Sequence, residues 1–83
     1  MAAIPASGVL VVDLHGKNEY QARVTLDAAL RRSSGLYRIR VSHGHNQGTI
    51  LRDLIRSSYG DHPRILRMET TRDGWTELVL REF

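Results

Sequence analysis

The pattern of hydrophobic and polar residues along the chain predicts six elements in the order βαβαββ. The apolar run from Val9 to Leu14 predicts an inner strand that is covered on both faces or nearly so. Strict alternation from Tyr37 to Ser42, and again from Ile65 to Thr71, predicts two strands that each have one apolar face. The Asp73-Gly74 dipeptide then predicts a hairpin turn into a last strand over residues 76–83.

Two segments between the strands have the periodicity of amphipathic helices. Asn18, followed three residues later by Gln21, has the pattern of a capping box and predicts the start of the first helix. Its predicted buried face consists of Ala22, Leu26, Ala29 and Leu30, with Tyr20 and Val24 beside them. The apolar positions of the second helix, which ends at Gly60, are Ile50, Leu51, Leu54, Ile55 and Tyr59.

These elements predict an α/β fold of the α+β two-layer sandwich type, with two helices on one face of a four-stranded mixed sheet. Right-handed crossovers make the first three strands parallel, and the hairpin makes the last strand antiparallel. The strand positions expected to face the core are Ile39, Val41, Leu66, Met68, Leu78 and Leu80. The other face of the sheet is expected to display Arg38, Arg40, Arg67, Glu69 and Arg81.

Length and composition restrict the kind of site that this fold can hold. A chain of 83 residues supports one modest core, which buries roughly 60% of the surface of the unfolded chain. Such a domain has no room for a deep active site, so a polymeric substrate fits better than a small metabolite. We expect residues 1–8 to be a flexible leader and residues 9–83 to be a single domain.

Several classes of protein are disfavoured by what the sequence lacks. There is no cysteine, which excludes a disulfide partner, a zinc finger and a thiol nucleophile. There is no run of about 18 apolar residues and no signal-peptide pattern, so we expect a cytoplasmic protein without a membrane partner.

The charged residues are biased towards arginine. Net charge is +3, and eleven of the twelve basic residues are arginine. Guanidinium groups pair with phosphates through two hydrogen bonds and stack on bases, which favours a nucleic-acid partner. A general preference for arginine over lysine explains the same bias equally well.

Polar residues follow the first two predicted strands at the points where these strands end. The first strand runs into Asp13-Leu14-His15-Gly16, and the second runs into Ser42-His43-Gly44-His45. Ligands of open α/β sheets bind beside the carboxyl ends of the strands. If the two strands are neighbours, the aspartate and the histidines of both segments are expected to converge in one cleft.

The chemistry available to this set is phosphate binding or phosphodiester cleavage. One histidine can take a proton from water or a ribose hydroxyl, and a second can protonate the leaving oxygen. Alternatively, a divalent cation such as Mg²⁺ or Mn²⁺ is a candidate cofactor, held by Asp13, His15 and His43. The competing interpretation is a capped turn in which Asp13 and His43 bond only to backbone groups and the other histidines are exposed. The isolated His62 is expected to be incidental.

A phosphate is expected at the start of the second helix, where unpaired N–H groups and the helix dipole attract anions. The residues predicted to seat it are Lys17, Gly44, His45, Asn46, Gly48, Thr49 and Arg52.

Two motifs in these segments resemble the signatures of the small MutS-related (Smr) domain family. Val12-Asp13-Leu14-His15-Gly16 is similar to its first signature, Leu-Asp-x-His, and the segment from His43 to Arg52 is similar to its second, His-Gly-x-Gly with a later Leu-Arg pair. Asn46 stands where the second motif glycine is usual. The glycine-rich stretch before the last strand is reduced to Asp73-Gly74-Trp75, in which we expect Trp75 to cap the core rather than to stack on a base.

The resemblance implies a fold similar to the C-terminal domain of translation initiation factor three, nucleic-acid binding and, in many members, endonuclease activity on DNA or RNA. It implies roles in catalysis or substrate contact for Asp13, His15, His43, Gly44 and Arg52. The leading hypothesis is therefore a phosphodiester hydrolase that nicks structured RNA or branched DNA. The alternatives are a module that binds nucleic acid or the ribosome without cleavage, and a protein adaptor that uses Arg38 and Arg40.

Overall fold

The computed structural model describes residues 8–44, 48–71 and 74–81, and it confirms the predicted order of elements. The strands and helices are β1 (Val9–Asp13), α1 (Glu19–Arg31), β2 (Arg38–Ser42), α2 (Gly48–Tyr59), β3 (Arg67–Thr70) and β4 (Trp75–Val79). Residues 1–7 of the predicted leader lie outside the described residues. Gly8 does not belong to a leader, because it is buried and its carbonyl oxygen accepts from the backbone N–H of Tyr37 at 2.7 Å.

The four strands form one mixed sheet in the order β1-β2-β4-β3. β1 and β2 are parallel neighbours, and β4 runs antiparallel to both β2 and β3. The first three strands therefore point the same way and the last one points the opposite way, as predicted. Since β4 is antiparallel to both β2 and β3, β3 runs in the same direction as β2. The β3–β4 turn follows the carboxyl end of β3, so it lies at the same end of the sheet as the carboxyl end of β2.

β1 is an edge strand rather than the inner strand that its apolar run predicts. Leu10 and Val12 pack towards the core, whereas Val11 between them is 57% exposed. Helices cover only one face of the sheet, so alternate β1 positions face away from them. A run of β-branched residues favours a strand in both environments, and it does not show whether the second face is covered.

Both helices pack on the same face of the sheet. The α1 residues Ala22, Leu26, Ala29 and Leu30 are buried as predicted, in one cluster with Leu51, Leu54, Ile55 and Tyr59 of α2 and with Ile39, Val41 and Leu78 of the sheet. The flanking positions Tyr20 and Val24 are exposed, and so is Ile50 at the start of α2. The predicted apolar stripes were too wide, because one helix face contacts one sheet face and residues at its margin reach water.

One predicted core position before β3 is wrong. Leu66 is 60% exposed, and Ile65 is buried in its place. The strand begins only at Arg67. Leu66 precedes it, so the alternation of core-facing and outward-facing side chains along the strand does not apply to Leu66. Met68 and Leu80 are partly buried against the core as expected.

The face of the sheet that is turned away from the helices, here called the outer face, carries most of the charged strand residues. By strand register and alternation it comprises Val9, Val11, Asp13, Arg38, Arg40, Ser42, Arg67, Glu69, Trp75, Glu77 and Val79. Arg38 Nη1 lies 3.0 Å from Glu77 Oε1 and 3.3 Å from Glu69 Oε1. The hydrogen bond from Arg67 lowers the pKa of the Glu69 carboxyl.

Trp75 also lies on the outer face, which corrects the expectation that it caps the core. Its strand neighbour Thr76 is fully buried on the core side, and alternation along β4 turns the indole to the other side. The tryptophan ring is partly exposed and is not part of the core cluster.

The predicted capping box fixes the start of α1. Asn18 Oδ1 accepts from the Gln21 backbone N–H at 2.8 Å, and Gln21 Oε1 accepts from the Asn18 backbone N–H at 3.0 Å. Two donors that the helix leaves unpaired are thereby satisfied. Since α1 follows β1 after five residues, the cap also fixes the path of the chain that leaves the tip of β1.

Replacing Asn18 with alanine is expected to lower the free energy of unfolding by about 1 kcal/mol, because an N-cap acceptor is lost. Urea denaturation followed by circular dichroism measures this change. Asn18→Asp keeps the acceptor and is expected to match the wild type, so equal losses in both variants would contradict the assignment.

Candidate functional site at the strand tips

The carboxyl ends of β1 and β2 lie side by side, as the site prediction requires. Asp13 pairs with Ser42 in the parallel register. The pairing continues one residue further, because the Leu14 N–H donates to the Ser42 carbonyl oxygen at 2.8 Å. The two motif segments therefore leave the sheet next to each other.

The first motif forms a tight turn with two exposed side chains. Asp13 Oδ1 accepts from the His15 backbone N–H at 2.9 Å, and the Lys17 N–H donates to the Leu14 carbonyl at 2.9 Å. Gly16 within the turn has a φ of +80°, which glycine adopts without steric cost. Asp13 and His15 face solvent, and Lys17 is partly exposed where the chain leaves the tip.

His43 of the second motif is buried, with only 4% of its surface exposed. Its Nδ1 lies 3.1 Å from the Gly44 carbonyl oxygen and its Nε2 lies 2.9 Å from Thr76 Oγ1. Because a carbonyl can only accept, Nδ1 carries a proton, and in a neutral ring the Thr76 hydroxyl then donates to Nε2. Thr70 Oγ1, at 3.3 Å from Thr76 Oγ1, continues this polar chain.

The structure does not bring Asp13 and His43 into one cleft. Asp13 pairs with Ser42, the residue before His43, and successive side chains of a strand point to opposite faces. Asp13 accordingly lies on the outer face, while His43 bonds to the core-facing Thr76. His43 is buried, which an acid, base or ligand in contact with substrate is not expected to be, and its part in catalysis stays a prediction. The capped-turn interpretation describes the bond of Asp13, which accepts from a backbone N–H, but not those of His43, whose Nε2 also bonds to the Thr76 side chain.

His15 remains at the junction of the two motifs. An ideal Cβ built on Gly44 would lie 3.5 Å from Cδ2 of the His15 ring. The imidazole thus packs beside the backbone of the second motif while staying exposed. His45 and Asn46, which were predicted to join it, lie outside the described residues.

The three candidate metal ligands do not form a metal site. Among the residues that the structure describes, no three histidine, aspartate or glutamate side chains are grouped so that they could hold a metal ion. Asp13 and His43 lie on opposite faces of the sheet, which keeps these two side chains from sharing an ion. A site for Mg²⁺ or Mn²⁺ built from these three residues is not supported.

A third segment, at the β3–β4 turn, contacts the second motif, and the sequence does not predict this contact. The backbone N–H groups of His43 and Gly44 both donate to the Gly74 carbonyl oxygen, at 2.9 and 3.1 Å. Gly44 and Gly74 both have positive φ, +76° and +78°. The available signal is Asp73-Gly74-Trp75, which predicts a hairpin turn and resembles a shortened form of the family's glycine-rich stretch, but neither pattern predicts a contact with Gly44.

The start of α2 and its first arginine flank the second motif. α2 begins at Gly48 and has no acidic residue in its first turn, so the positive end of the helix dipole is not neutralised there. Arg52 is about half-exposed, and its buried Nε has no hydrogen-bond acceptor among the described residues. The nearest carboxylate oxygen, Asp53 Oδ1, is 3.6 Å away. The side chain of Thr49 lies outside the described part of the structure.

His62 lies in the loop after α2 and takes no part in the strand-tip site. Its Nδ1 accepts from the Arg64 backbone N–H at 3.1 Å, and its ring is 6.2 Å from that of Tyr59. Burial, followed by a 2.7 Å hydrogen bond to Asp27, raises the pKa of Tyr59. These contacts join α1, α2 and the following loop, which agrees with a structural role for His62.

Adding a methyl group at Gly74 is expected to destabilise the fold more than adding one at Gly16. Both positions have positive φ, which costs roughly 1 to 2 kcal/mol for a residue with a Cβ. At Gly74 the new Cβ would also lie 2.9 Å from the Gly44 carbonyl carbon, whereas at Gly16 it would meet nothing within 4 Å. We expect Gly74→Ala to lose about 1 to 3 kcal/mol more than Gly16→Ala.

Denaturation of the two alanine variants in urea compares them directly. Equal losses would mean that the Gly44–Gly74 contact relaxes at no cost and does not hold the second motif in place.

Comparisons with known proteins agree with this fold. None of the helices that the structure describes is long and apolar enough to span a membrane. No curated protein matches the chain. The crystal structure of the Smr domain of Thermus thermophilus MutS2 is similar, with a TM-score of 0.76 and 30% identity over 88% of this chain and 99% of that one. The Smr domain family model matches residues 12–77, so the chain belongs to the Smr domain family.

Proposed function

We propose that this domain binds nucleic acid at the tips of β1 and β2 and nicks a phosphodiester bond there. Smr domains generally bind nucleic acid, and some members are nicking endonucleases. The observation that carries the proposal is the exposed His15 beside Gly44, in a turn that Asp13 holds.

His15 is the group best placed to move a proton. It is exposed, and its backbone is fixed by the Asp13 carboxylate on one side and by the Gly16 turn on the other. An imidazole so placed can accept a proton from water or from a ribose hydroxyl that attacks phosphorus. The second histidine of such a scheme would be His45, since His43 is buried.

The phosphate would lie between the motif turns and the start of α2. Lys17 follows the first turn, Arg52 stands one turn into α2, and the start of α2 offers backbone N–H groups. Arg52 Nε supports this assignment, because among the described residues it is buried without a hydrogen-bond acceptor, its ion pair with Asp53 being 3.6 Å long, and such a donor calls for an explanation such as a ligand that accepts its hydrogen bond. These cationic groups would also stabilise the charge that develops on the phosphate oxygens.

His43 would act through the backbone that it holds. Its bonds to Gly44 and Thr76 fix the second motif against β4, so the ring shapes the phosphate seat without touching substrate. This explains a histidine in the motif that is inaccessible to solvent.

A second function, binding without cleavage, is favoured by the same burial of His43. With one histidine enclosed and no three-ligand metal group among the described residues, His15 is the one imidazole that the described part of the site exposes. A pure binding module needs only the cationic seat. The experiments below separate these two functions.

If His15 transfers a proton, His15→Ala is expected to slow nicking by about a hundredfold or more. Nicking of supercoiled plasmid and of a structured RNA is followed on gels, in buffers containing EDTA, Mg²⁺ or Mn²⁺. Asp13→Asn keeps an acceptor for the His15 N–H and is expected to retain more activity than Asp13→Ala.

His62→Ala is the matched control, because it removes a histidine remote from the strand tips and should leave nicking unchanged. Equal activity of wild type, His15→Ala and Asp13→Ala would show that the nicking comes from a contaminant. No activity in any protein, together with retained binding, would leave the binding function alone.

Binding itself is expected to weaken steeply with salt, because each neutralised phosphate releases counterions. Each contact adds roughly 0.7 to 0.9 to the slope of log K against log salt. Lys17→Ala and Arg52→Ala should each weaken binding and reduce that slope by about 1. Fluorescence anisotropy at several salt concentrations measures both quantities.

Arg56→Ala is the control for Arg52→Ala. It removes the same charge one turn further along α2, in the last turn of the helix, and should change binding much less. Equal effects of the two substitutions would indicate a nonspecific response to net charge and would contradict a phosphate seat at the helix start.

A further inference from the structure

The outer face carries one aromatic side chain paired with an arginine, close to the strand tips. Arg40 Cζ lies 5.0 Å from the centroid of the Trp75 ring, which is a cation–π distance. Both residues are accessible, since Arg40 is exposed and Trp75 is partly exposed. Trp75 is not needed for the core cluster, so the fold does not explain its size.

The position of this pair relative to the strand tips is fixed by the strand register. Trp75 pairs with Ser42, and Ser42 pairs with Asp13, so all three stand in one row across the outer face. Two strand spacings separate Trp75 from Asp13, which is roughly 10 Å. A nucleic-acid strand bound at the tips therefore has Trp75 within reach of its next nucleotides.

The charges of the outer face single out Arg40 from its neighbours. Arg38 pairs with Glu69 and Glu77, and Arg67 pairs with Glu69, so this network contains two positive and two negative groups and is neutral. Arg40 has no carboxylate partner among the residues that the structure describes. Its positive charge is therefore available next to the indole, on the side of the face nearest the strand tips.

We propose that Trp75 and Arg40 form a stacking site for an unpaired base of a nucleic-acid strand that is bound at the strand tips. Indole rings and guanidinium planes both stack on bases, and the guanidinium also attracts the adjoining phosphate. Bases inside a duplex are covered by their neighbours and cannot use such a site. The substrate class is accordingly a single strand, a loop or a flap rather than a continuous duplex.

The inference rests on the proposed nucleic-acid binding, but it has a readout of its own. Trp75 is the sole tryptophan of the chain, so its fluorescence reports directly on this site. Titration with a single-stranded DNA or RNA oligonucleotide is expected to quench that fluorescence. An oligomer of equal length and charge that has abasic nucleotides, and a blunt duplex, should bind at the strand tips with little quenching.

Variants test whether stacking contributes to affinity. Trp75→Ala is expected to weaken binding of a single strand by roughly 5- to 100-fold, measured by anisotropy with a labelled oligonucleotide, and to leave duplex binding unchanged. Trp75→Phe should recover part of the loss. Arg40→Gln should weaken single-strand binding, whereas Arg56→Gln, the same change of charge on the helix layer, should have little effect. Circular dichroism confirms that each variant is folded.

Each result has one meaning for the proposal. If oligonucleotides bind without quenching, or if Trp75→Ala and Arg40→Gln bind single strands as the wild type does, the stacking site is overturned and the strand-tip site stands. If no nucleic acid binds at all, both fail. A Trp75→Ala variant that changes sedimentation but not binding would identify the outer face as a contact between copies of the chain, which also overturns the proposal.

Discussion

The parallel pairing of β1 with β2 is the constraint on which the rest of this molecule depends. Asp13 opposite Ser42, extended by the bond from Leu14 to the Ser42 carbonyl, brings two segments together that are about thirty positions apart in the chain. A shift of this register by one residue would turn every β1 side chain to the other face. Leu10 and Val12 would then lose their contacts with the core, and Asp13 would be turned towards it. Core packing and the exposure of Asp13 therefore require the same register.

Alternation along these strands divides the polar residues between two tasks. Residues in phase with the core, such as His43 and Thr76, are buried and satisfy each other through hydrogen bonds. Residues out of phase, such as Asp13 and Arg40, face solvent. His43 bonds to the Gly44 carbonyl oxygen through its ring and to the Gly74 carbonyl oxygen through its backbone N–H. Breaking one of these bonds would leave a buried polar group unpaired, which costs about 1 to 3 kcal/mol. The exposed set is left to meet a ligand.

Features governed by local rules could be predicted from the sequence. The capping box at Asn18, the buried stripe of α1 and the βαβαββ order follow from the spacing of a few adjacent residues, and the structure confirms them. The adjacency of the β1 and β2 tips, on which the predicted cleft was made conditional, is present in the sheet, as is common for consecutive strands joined by a crossover.

The features that could not be predicted depend on strand phase and on contacts between distant segments. The burial of His43 requires knowing that Asp13 pairs with Ser42 rather than with His43 itself. The exposure of Leu66 requires knowing where β3 begins, and the outward position of Trp75 requires the phase of β4. The contact between Gly44 and Gly74 joins two turns that no local pattern relates. A single sequence gives residue spacing, but these properties are set by the sheet.

A domain of 83 residues has little room for a deep pocket, so the proposed selectivity would come from combining two surfaces. Contacts to phosphates position a strand but carry no information about its bases. In the proposed site, Lys17, Arg52 and the start of α2 would be contacts of that kind, and they would bind any polyanion. The indole of Trp75, roughly 10 Å away across two strands, would add a contact that only an accessible base can make. Phosphate binding weakens with salt while stacking is little affected, so the preference for unpaired bases would increase as salt rises.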